Sequence, residues 1–281
     1  MQCFDRIDPL REQLSVWRDQ GRSIALVPSM GNLHAGHMAL VTNAQQIAER
    51  TVVTIFVNPT QFVQGEDYAA YPRTFADDRK ALEATGVDIL FHPDVHEMYP
   101  DGLLRQTRVT VDGLDDVFCG KYRTGHFTGV ATIVAKLFHI VRPDVALFGE
   151  KDYQQLLVIR QLTRDLNIPV AIVGVATVRE DDGLALSSRN LYLSASERTA
   201  APLLYQALLQ MAAEIQKGCT DYAGLERNAD ACLTQAGFRP EYISIRRSVD
   251  LGEPGNDRNL VVLASAWLGK ARLIDNLQIR R

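Results

Sequence analysis

Cysteine is scarce in this chain of 281 residues, and the four that occur lie far apart. They are Cys3, Cys119, Cys219 and Cys232, so the sequence contains no CxxC pair. Without such a pair it predicts neither a cysteine zinc site nor a redox site, and the spacing indicates no disulfide framework. We therefore expect a reducing, cytoplasmic location.

Long apolar runs and an excess of positive charge are also missing. No segment approaches the ~20 apolar residues of a membrane-spanning helix, and residues 1–20 lack the apolar core of a secretory signal. The 34 Asp and Glu residues outnumber the 30 Lys and Arg residues, which gives a net charge of -4. That balance argues against a dedicated nucleic-acid-binding protein. We expect neither a membrane nor a nucleic acid as a partner.

Residues 1–178 instead show an alternation of short apolar runs with helical patterns. The runs SIALVPS, TVVTIFVN, VDILFHP, DVALFGE and VAIVGVATV predict strands, and amphipathic segments lie between most of them. Such alternation is typical of βαβ units whose parallel sheet is covered on both faces. The predicted fold class is α/β, with a Rossmann-like parallel sheet in this first domain.

The pattern changes after residue 178. Residues 195–218 predict one long amphipathic helix with Ser194 or Ser196 as its cap, and residues 221–237 predict a second helix that ends at a glycine. Three strand patterns follow, and the last two are joined by the turn-like stretch LGKAR. We therefore predict a smaller α+β domain over residues 179–281.

Two histidines three residues apart follow the first predicted strand, in the stretch PSMGNLHAGH. If a helix begins at Leu33, His34 and His37 lie on one face of its N-terminal turn. Free N–H groups and the helix dipole favour anions there, and imidazoles can stabilise charge that develops on phosphate oxygens. The alternative is a pair of satisfied surface or core histidines, but the position directly after a strand favours function. Metal binding is a weaker hypothesis, because helical zinc pairs are spaced i,i+4.

Polar segments follow two further strands at the same predicted sheet edge, where open α/β sheets bind their ligands. NPTQF places Gln61 there, either to bind a small polar substrate or as an ordinary solvated turn residue. GEKDYQQ supplies Gly149 for close backbone approach, Lys151 as a charge for phosphate and Asp152 as an acceptor. A solvated Lys-Asp loop pair is the alternative, and the strand-end position favours a functional one.

Two loops add cationic groups. DGLALSSRNLYLS is a dense donor set for a polyphosphate, although a Ser-Ser turn is common. CGKYRTGHF is either a lid or an ordered connection and contains Lys121, Arg123 and His126. Neither a Walker loop nor a GxGxxG fingerprint occurs, so helix N-termini and these side chains would have to hold any phosphate.

In combination, these motifs resemble the pantothenate synthetase (pantoate–β-alanine ligase) family, part of the adenylyl-transferring superfamily marked by HxGH. The resemblance covers nearly all of the first domain and the start of the second. It rests on PSMGNLHAGH, TIFVNPTQF, YPRT, GHFTGVATIVAKLF, PDVALFGEKDYQQLLVIRQL and DGLALSSRNLYLS. HxGH alone would indicate only the superfamily, whereas the combination is specific. The departures from the family pattern keep side-chain size or lie between contact positions, at Ser29, Ala35, Thr124 and Leu186.

The resemblance implies an ATP-dependent ligase that joins pantoate to β-alanine through a pantoyl adenylate, with release of AMP and pyrophosphate. It further implies a nucleotide-binding first domain, a second domain that carries the phosphate loop, and a cytoplasmic homodimer. Mg²⁺ would be carried by the ATP phosphates rather than by a protein cage. A carboxylate nucleophile needs no base, so the first step depends on in-line positioning and on charge stabilisation.

The resemblance also implies residue roles. Catalysis would involve His34, His37, Lys151 and Arg189, with His37 as the candidate proton donor. Pantoate would contact Gln61 and Gln155, and β-alanine would contact Gln61. The implied ATP contacts are Met30, Gly31, Asn32, Leu33, His34, Ala35, Gly36, His37, Gly149, Glu150, Lys151, Asp152, Val178, Leu186, Ser187, Ser188 and Arg189.

Three other interpretations stay open at the level of sequence. The nearest is another adenylyl- or cytidylyltransferase of the superfamily. An aminoacyl-tRNA synthetase core fits less well, because the chain is short, acidic and without an obvious RNA-binding appendage. A nucleotide-binding regulator without catalysis would need fewer transition-state donors than this set offers.

Overall fold

The computed structural model describes residues 1–281, and the apolar runs of its first part form a six-stranded sheet. All neighbouring strands are parallel, in the order β1-β4-β3-β2-β5-β6. The strands are β1 (Gln2–Phe4), β2 (Ile24–Ser29), β3 (Arg50–Ile55), β4 (Ile89–Phe91), β5 (Val145–Gly149) and β6 (Ala171–Val175). The predicted α/β class with a parallel sheet is confirmed.

Strand order reverses beside β2. From β2 the chain continues to β3 on one side, whereas β5 and β6 lie on the other side. Diverging loops at such a reversal leave a crevice at the carboxyl ends of the two central strands. The stretch after β2 contains the two histidines, and β5 itself ends at Gly149.

Helices separate most of these strands, and α1 and β1 were not predicted from the sequence. The helices are α1 (Ile7–Asp19), α2 (Ala35–Ile47), α3 (Phe75–Ala84), α4 (Val95–Met98), α5 (Cys119–Tyr122), α6 (His126–Val141) and α7 (Tyr153–Asp165). Strand β1 has only three residues, two of them exposed, so no apolar run indicates it. Buried apolar side chains of β2 and α6 show that both elements lie inside this part of the chain.

The second part of the chain is an α+β arrangement with a three-stranded antiparallel sheet of order β7-β8-β9. Its elements are α8 (Ala195–Ala200), α9 (Leu203–Gln216), α10 (Tyr222–Gln235), β7 (Arg239–Arg247), β8 (Asn259–Leu268) and β9 (Ala271–Arg280). Apolar side chains of α9 and α10 form one core with those of β7, β8 and β9. The tight turn predicted in LGKAR is confirmed, because Leu268 pairs with Ala271.

The prediction of one long helix from residue 195 is wrong. The segment forms two helices, and the break falls between Ala200 and Leu203, where Pro202 stands. Proline has no N–H for the helical ladder and is tolerated only at a helix start, so α9 begins after it. Ser194 does cap α8, since its hydroxyl accepts from the N–H of Glu197.

Two compact units emerge from the contacts within the chain. Unit 1 comprises Met1–Glu150 and Gln154–Ala176, and unit 2 comprises Lys151–Tyr153 and Thr177–Arg281. A single division near residue 178 therefore does not describe Lys151–Tyr153, which groups with unit 2. No helix in the structure is both long enough and apolar enough to cross a membrane.

Candidate functional site

The two histidines of HAGH form the cap of helix α2. The helix begins at Ala35, not at Leu33, so His34 is the N-cap residue and His37 lies in the first turn. Nδ1 of His34 accepts from the N–H of Gly36 at 3.1 Å, and Nδ1 of His37 accepts from the N–H of His34 at 3.3 Å. The two rings lie 4.1 Å apart, centroid to centroid. Both imidazoles are therefore held by the backbone at one helix N-terminus.

These backbone bonds fix the position of the ring protons. A ring nitrogen that accepts an N–H bond carries no proton, so the neutral rings of His34 and His37 carry theirs on Nε2. Each imidazole is thus a potential Nε2–H donor beside the positive end of the helix dipole. A donor pair at a helix N-terminus suits phosphate oxygens.

A buried carboxylate orders the turn before the histidines. Asp78, on α3, accepts from the N–H of Asn32 at 2.8 Å and from the N–H of Leu33 at 2.7 Å. Gly31 has a φ of 85°, and a Cβ there would lie 3.0 Å from Asp78 Oδ2, so this turn needs glycine. Asp78 is 3% exposed. Sequence reasoning missed this residue, because a carboxylate 45 residues beyond the turn carries no local signal.

Gln61, the residue expected to bind pantoate, contacts the predicted ATP segment directly. Its Nε2 donates to the sulfur of Met30 at 3.1 Å, and its Oε1 accepts from Nδ2 of Asn58, also at 3.1 Å. Asn58 is almost fully buried, and its Oδ1 accepts from the hydroxyl of Tyr99 at 2.8 Å. The orientation of the Gln61 amide is thereby fixed within unit 1.

The backbone of Gln61 is held by groups from the CGKYRTGHF loop. Its carbonyl accepts from Nδ1 of His126 at 2.7 Å, and Nε2 of His126 accepts from the guanidinium of Arg123 at 2.9 Å. Arg123 also donates to Glu66 at 2.7 Å. Arg123 and His126 therefore belong to an ordered connection in unit 1, whereas the side chain of Lys121 is exposed.

Gln61 ends a short 3₁₀ turn, Pro59–Gln61, and helix α6 approaches this turn very closely at Gly129. A Cβ at that position would lie 2.3 Å from the carbonyl oxygen of Thr60 and 2.8 Å from Cα of Gln61. The carbonyl of Gly129 also accepts from Nδ2 of Asn58 at 3.2 Å. Glycine is therefore required at this position, because two backbones pack against each other here. This close approach fixes the position of the Gln61 backbone.

A buried tyrosine and a half-buried lysine lie beside the Asn58 network. Burial raises the pKa of the Tyr99 phenol, and the hydrogen bond between this phenol and the Thr60 hydroxyl opposes that rise. Burial lowers the pKa of the Lys136 ammonium, whose Nζ lies 4.7 Å from the centroid of the Tyr99 ring. The phenol therefore stays protonated at neutral pH and donates to Asn58.

At the carboxyl end of β5, Gly149 and the two glutamines of GEKDYQQ have separate roles. A Cβ on Gly149 would meet no atom within 4 Å, so packing within the protein does not require this glycine. Gln154 has a structural role, since its Nε2 donates to the carbonyls of Leu114 and Val117, both at 2.8 Å. Gln155 takes no part in that network and is half-buried.

Unit 2 contains the remaining predicted contacts. Ser187 caps a short 3₁₀ turn, Ser188–Tyr192, and its hydroxyl oxygen accepts from the N–H of Arg189 at 3.2 Å. The carbonyl of Val178 accepts from the N–H of Leu186 at 3.0 Å. The segment expected at the adenine is thereby joined to the segment expected at the phosphates.

Lys151 and Ser187 line one cavity of unit 2, together with Asn190, Tyr205 and Asp275. Lys151 and Asp152 lie in a 3₁₀ turn, Glu150–Asp152, that precedes α7. No group of three or more His, Cys, Asp or Glu side chains that could hold a metal ion occurs.

The residues of the predicted site are divided between the two units. Unit 1 holds residues 30–37, Gln61, Gly149, Glu150 and Gln155, and unit 2 holds Lys151, Asp152, Val178 and residues 186–189.

The chain is similar to known proteins over its whole length. Residues 2–278 match the family model described as pantoate-beta-alanine ligase. A pantothenate synthetase of Shewanella baltica (strain OS185) is 54% identical over 276 residues, covering 98% of each chain. A pantothenate synthetase of Pseudomonas putida is 53% identical over 281 residues, covering 99% of this chain and 98% of the relative.

Solved structures give the same result. A pantothenate synthetase from Thermus thermophilus has a TM-score of 0.93 at 45% identity, covering 100% of both chains. A pantoate–β-alanine ligase from Francisella tularensis, complexed with beta-gamma ATP and β-alanine, has a TM-score of 0.80 at 32% identity, covering 99% of this chain and 97% of its own. By sequence and by fold, the chain belongs to the pantoate–β-alanine ligase family.

Proposed function

We propose that this ligase condenses (R)-pantoate with β-alanine to pantothenate through a pantoyl-adenylate intermediate. The pantoate carboxylate attacks the α-phosphate of ATP, and the bond to the β-phosphate breaks to release pyrophosphate. The unprotonated amine of β-alanine then attacks the acyl carbon, and AMP leaves. One observation carries the proposal: the Nε2–H donors of the HxGH cap and the Met30–Gln61 contact occur in the same unit.

The first step needs alignment and charge stabilisation rather than a base. His34 and His37 would donate through Nε2 to phosphate oxygens as negative charge moves onto the leaving pyrophosphate. Lys151, Ser187, Ser188 and Arg189 would also bind ATP phosphates. The ordered turn Met30–Leu33 with Ala35 and Gly36 would bind the nucleotide by its backbone. Gly149, Glu150 and Asp152 would line its path, and Val178 and Leu186 would contact the adenine side.

The Gln61 amide would select pantoate. Its Nε2–H and Oε1 offer one donor and one acceptor, which matches a hydroxy acid with both kinds of group. Gln155 would complete the pantoate contacts from the start of α7. In the second step, Gln61 would also contact β-alanine, because both substrates meet at the same acyl carbon.

Mg²⁺ would bind with the nucleotide. The chain offers no cluster of acidic side chains for a protein cage, and Mg²⁺ in phosphoryl-transfer sites is held mainly by substrate phosphates and water. Asp152 would accept from one of those waters. The ion supplies charge neutralisation on the triphosphate when it is bound.

Further parts of the proposal concern organisation. Residues 1–178 would form the ATP- and pantoate-binding domain, and residues 179–281 would supply the phosphate loop, with Lys151–Tyr153 grouped with the latter. We propose a homodimer in the cytoplasm, with small molecules as the only substrates. Sedimentation of the purified chain tests the dimer.

The decisive experiment is ATP–pyrophosphate exchange. We expect exchange in the presence of pantoate and Mg²⁺ without β-alanine, because the adenylate forms before the amine is needed. Exchange that requires a nucleotide or phospho-sugar acceptor would identify a different adenylyl- or cytidylyltransferase. ATP binding without any exchange would contradict the adenylate route and favour a nucleotide-binding regulator.

A further inference from the structure

Strand β9 carries two consecutive buried polar residues, Asp275 and Asn276. They are 4% and 7% exposed, in a strand whose other buried positions are apolar. A buried carboxylate or amide is costly unless it is hydrogen-bonded. The contacts of both side chains therefore show which parts of unit 2 they hold.

Asn276 holds the segment that contains Lys151. Its Nδ2 donates to the carbonyl of Lys151 at 3.0 Å. Two residues later, the hydroxyl of Tyr153 donates to the carbonyl of Ser248 at 2.7 Å. These two bonds attach the backbone around Lys151 to the rest of unit 2 and fix its position there.

Asp275 holds the other ATP segment of unit 2. Its two carboxylate oxygens accept from the guanidinium of Arg179 at 2.6 and 2.8 Å. Arg179 also donates to the carbonyl of Gly183 at 3.1 Å, and its guanidinium carbon lies 3.5 Å from the centroid of the Tyr205 ring. The guanidinium is thus fixed on three sides.

Arg179 lies in a small hairpin that joins the two expected nucleotide contacts. Arg179 forms an isolated antiparallel bridge with Ala185, and the N–H of Leu186 donates to the carbonyl of Val178. A shift of Arg179 would therefore move Val178 and the start of the Leu186–Arg189 segment together.

We propose that Asp275 and Asn276 are positioning residues for ATP: Asn276 acts through Lys151, and Asp275 acts through Arg179 on Val178 and Leu186. The proposal rests on the function given above for Lys151 and Val178. Its physical basis is that adjacent positions on one rigid strand fix the relative placement of the two segments. A buried ion pair is weak evidence for stability by itself, so the contribution expected here is to geometry.

The test for Asn276 compares ATP with adenosine, which lacks the phosphates. Asn276→Ala and the equally sized Asn276→Asp both remove the donor to Lys151. We expect the affinity for MgATP, measured by calorimetry, to fall about three- to tenfold, the range of one lost hydrogen bond. Affinity for adenosine should stay within about twofold of the unmodified chain, because no phosphate contact is involved.

A double-mutant cycle separates positioning from folding. In the Lys151→Ala background, Asn276→Ala should cause no further loss of MgATP affinity, whereas a merely structural effect would add to the first. Gln278→Ala is the matched control, since it removes an exposed amide from the same strand. Equal losses for ATP and adenosine, or additive losses in the cycle, would overturn the role of Asn276.

The test for Asp275 uses Asp275→Asn and a second variant, Arg179→Met with Asp275→Leu, that leaves no lone buried charge. We expect both to lower the affinities for adenosine and for MgATP by a similar factor, because Val178 moves. Unchanged adenosine affinity in the folded double variant would overturn the role of Asp275.

Failure of this inference can be told apart from failure of the proposed function. If Lys151→Ala weakens MgATP binding while both Asn276 variants bind normally, only the positioning role is lost. If Lys151→Ala binds MgATP like the unmodified chain, the proposed phosphate role of Lys151 is lost and the role of Asn276 falls with it.

Discussion

The side-chain amide of Asn58 donates to Oε1 of Gln61 at 3.1 Å, and this bond decides which way the Gln61 amide faces. With its oxygen turned to Asn58, the Gln61 nitrogen is directed to the sulfur of Met30. Asn58 itself is oriented by the hydroxyl of Tyr99, which donates to its Oδ1. The Gln61 amide, which we propose selects pantoate, is thus oriented by a buried neighbour that has no contact with the substrate in our proposal.

Asn58→Asp should raise the Michaelis constant for pantoate. The aspartate has no donor for Oε1 of Gln61, and like oxygens at this distance repel, so the Gln61 amide would rotate. Loss of one buried hydrogen-bond partner costs roughly 1–3 kcal/mol, an increase of about five- to 150-fold in that constant. Steady-state kinetics check this, with Asn43→Asp as the control, since Asn43 bonds only within α2. An unchanged constant would show that Asn58 does not orient Gln61.

Gly129→Ala should damage pantoate binding through the backbone. The new Cβ would meet the Thr60 carbonyl oxygen at 2.3 Å, and neither partner is a flexible side chain. Overpacking of this kind costs about 1–3 kcal/mol, so both the melting temperature and the apparent pantoate affinity should fall. His139→Ala, an exposed change near the end of the same helix, should leave both unchanged. A lower melting temperature with normal pantoate kinetics would show that Gly129 contributes to folding stability and not to pantoate binding.

Asp78→Asn should loosen the turn before the histidines. An amide has one acceptor oxygen, so either the N–H of Asn32 or that of Leu33 loses its partner. An unsatisfied buried N–H costs about 1–3 kcal/mol, and the Michaelis constant for ATP should rise. Asp77→Asn is the matched control, because Asp77 is the exposed neighbour on the same helix. Equal behaviour of the two variants in exchange assays would contradict a role for Asp78 in the turn.

Local patterns predicted the parts of the fold that local physics determines. The strand before His34, the parallel sheet and the Ser194 cap follow from apolar runs and from cap chemistry, both visible within a few residues. The helix break at Pro202 was also visible in the sequence, and the periodicity of the flanking residues concealed it. Strand β1 has too few buried residues to show any pattern.

Support groups distant in sequence could not be predicted. Asp78 lies 46 residues from Asn32, and Asn276 lies 125 residues from Lys151. Their partners are backbone N–H and C=O groups, which every residue has, so no residue type signals the contact. The candidate contact residues follow from motifs and from the family resemblance that those motifs carry, whereas the residues that hold them in place require the tertiary structure.

Glu241 should make the stability of unit 2 dependent on pH. Burial raises its pKa, but the Arg272 guanidinium, Trp267 and Ser265 together lower it by more, so the net pKa lies below the usual glutamate value. A depressed folded-state pKa contributes stability above the unfolded value of about 4.3, and this stability is lost as the pH falls through the folded pKa. Glu241→Gln should therefore be less stable at pH 7, and the difference should shrink below about pH 4.

Trp267 reports this transition, because its Nε1 donates to Glu241 at 2.8 Å. Urea unfolding followed by tryptophan fluorescence at several pH values measures the difference. Glu253→Gln is the control, since the Glu253 side chain is 84% exposed. A stability difference between Glu241→Gln and the unmodified chain that is constant from pH 7 to pH 3 would contradict the linkage.

His37 combines a structural nitrogen and a proposed catalytic one, and two substitutions separate them. Asn places an acceptor near the position of Nδ1, so His37→Asn should keep the bond from the His34 N–H and the melting temperature. It lacks any donor at the position of Nε2, so the exchange rate with pantoate should fall by about two orders of magnitude, as for one lost transition-state donor. His37→Gln, which places a donor near Nε2 but loses the cap, should show the reverse: lower stability and a smaller loss of rate. If both variants lose rate in proportion to stability, the Nε2–H group has no role of its own in the transition state, and the cap would be the reason for a histidine at this position.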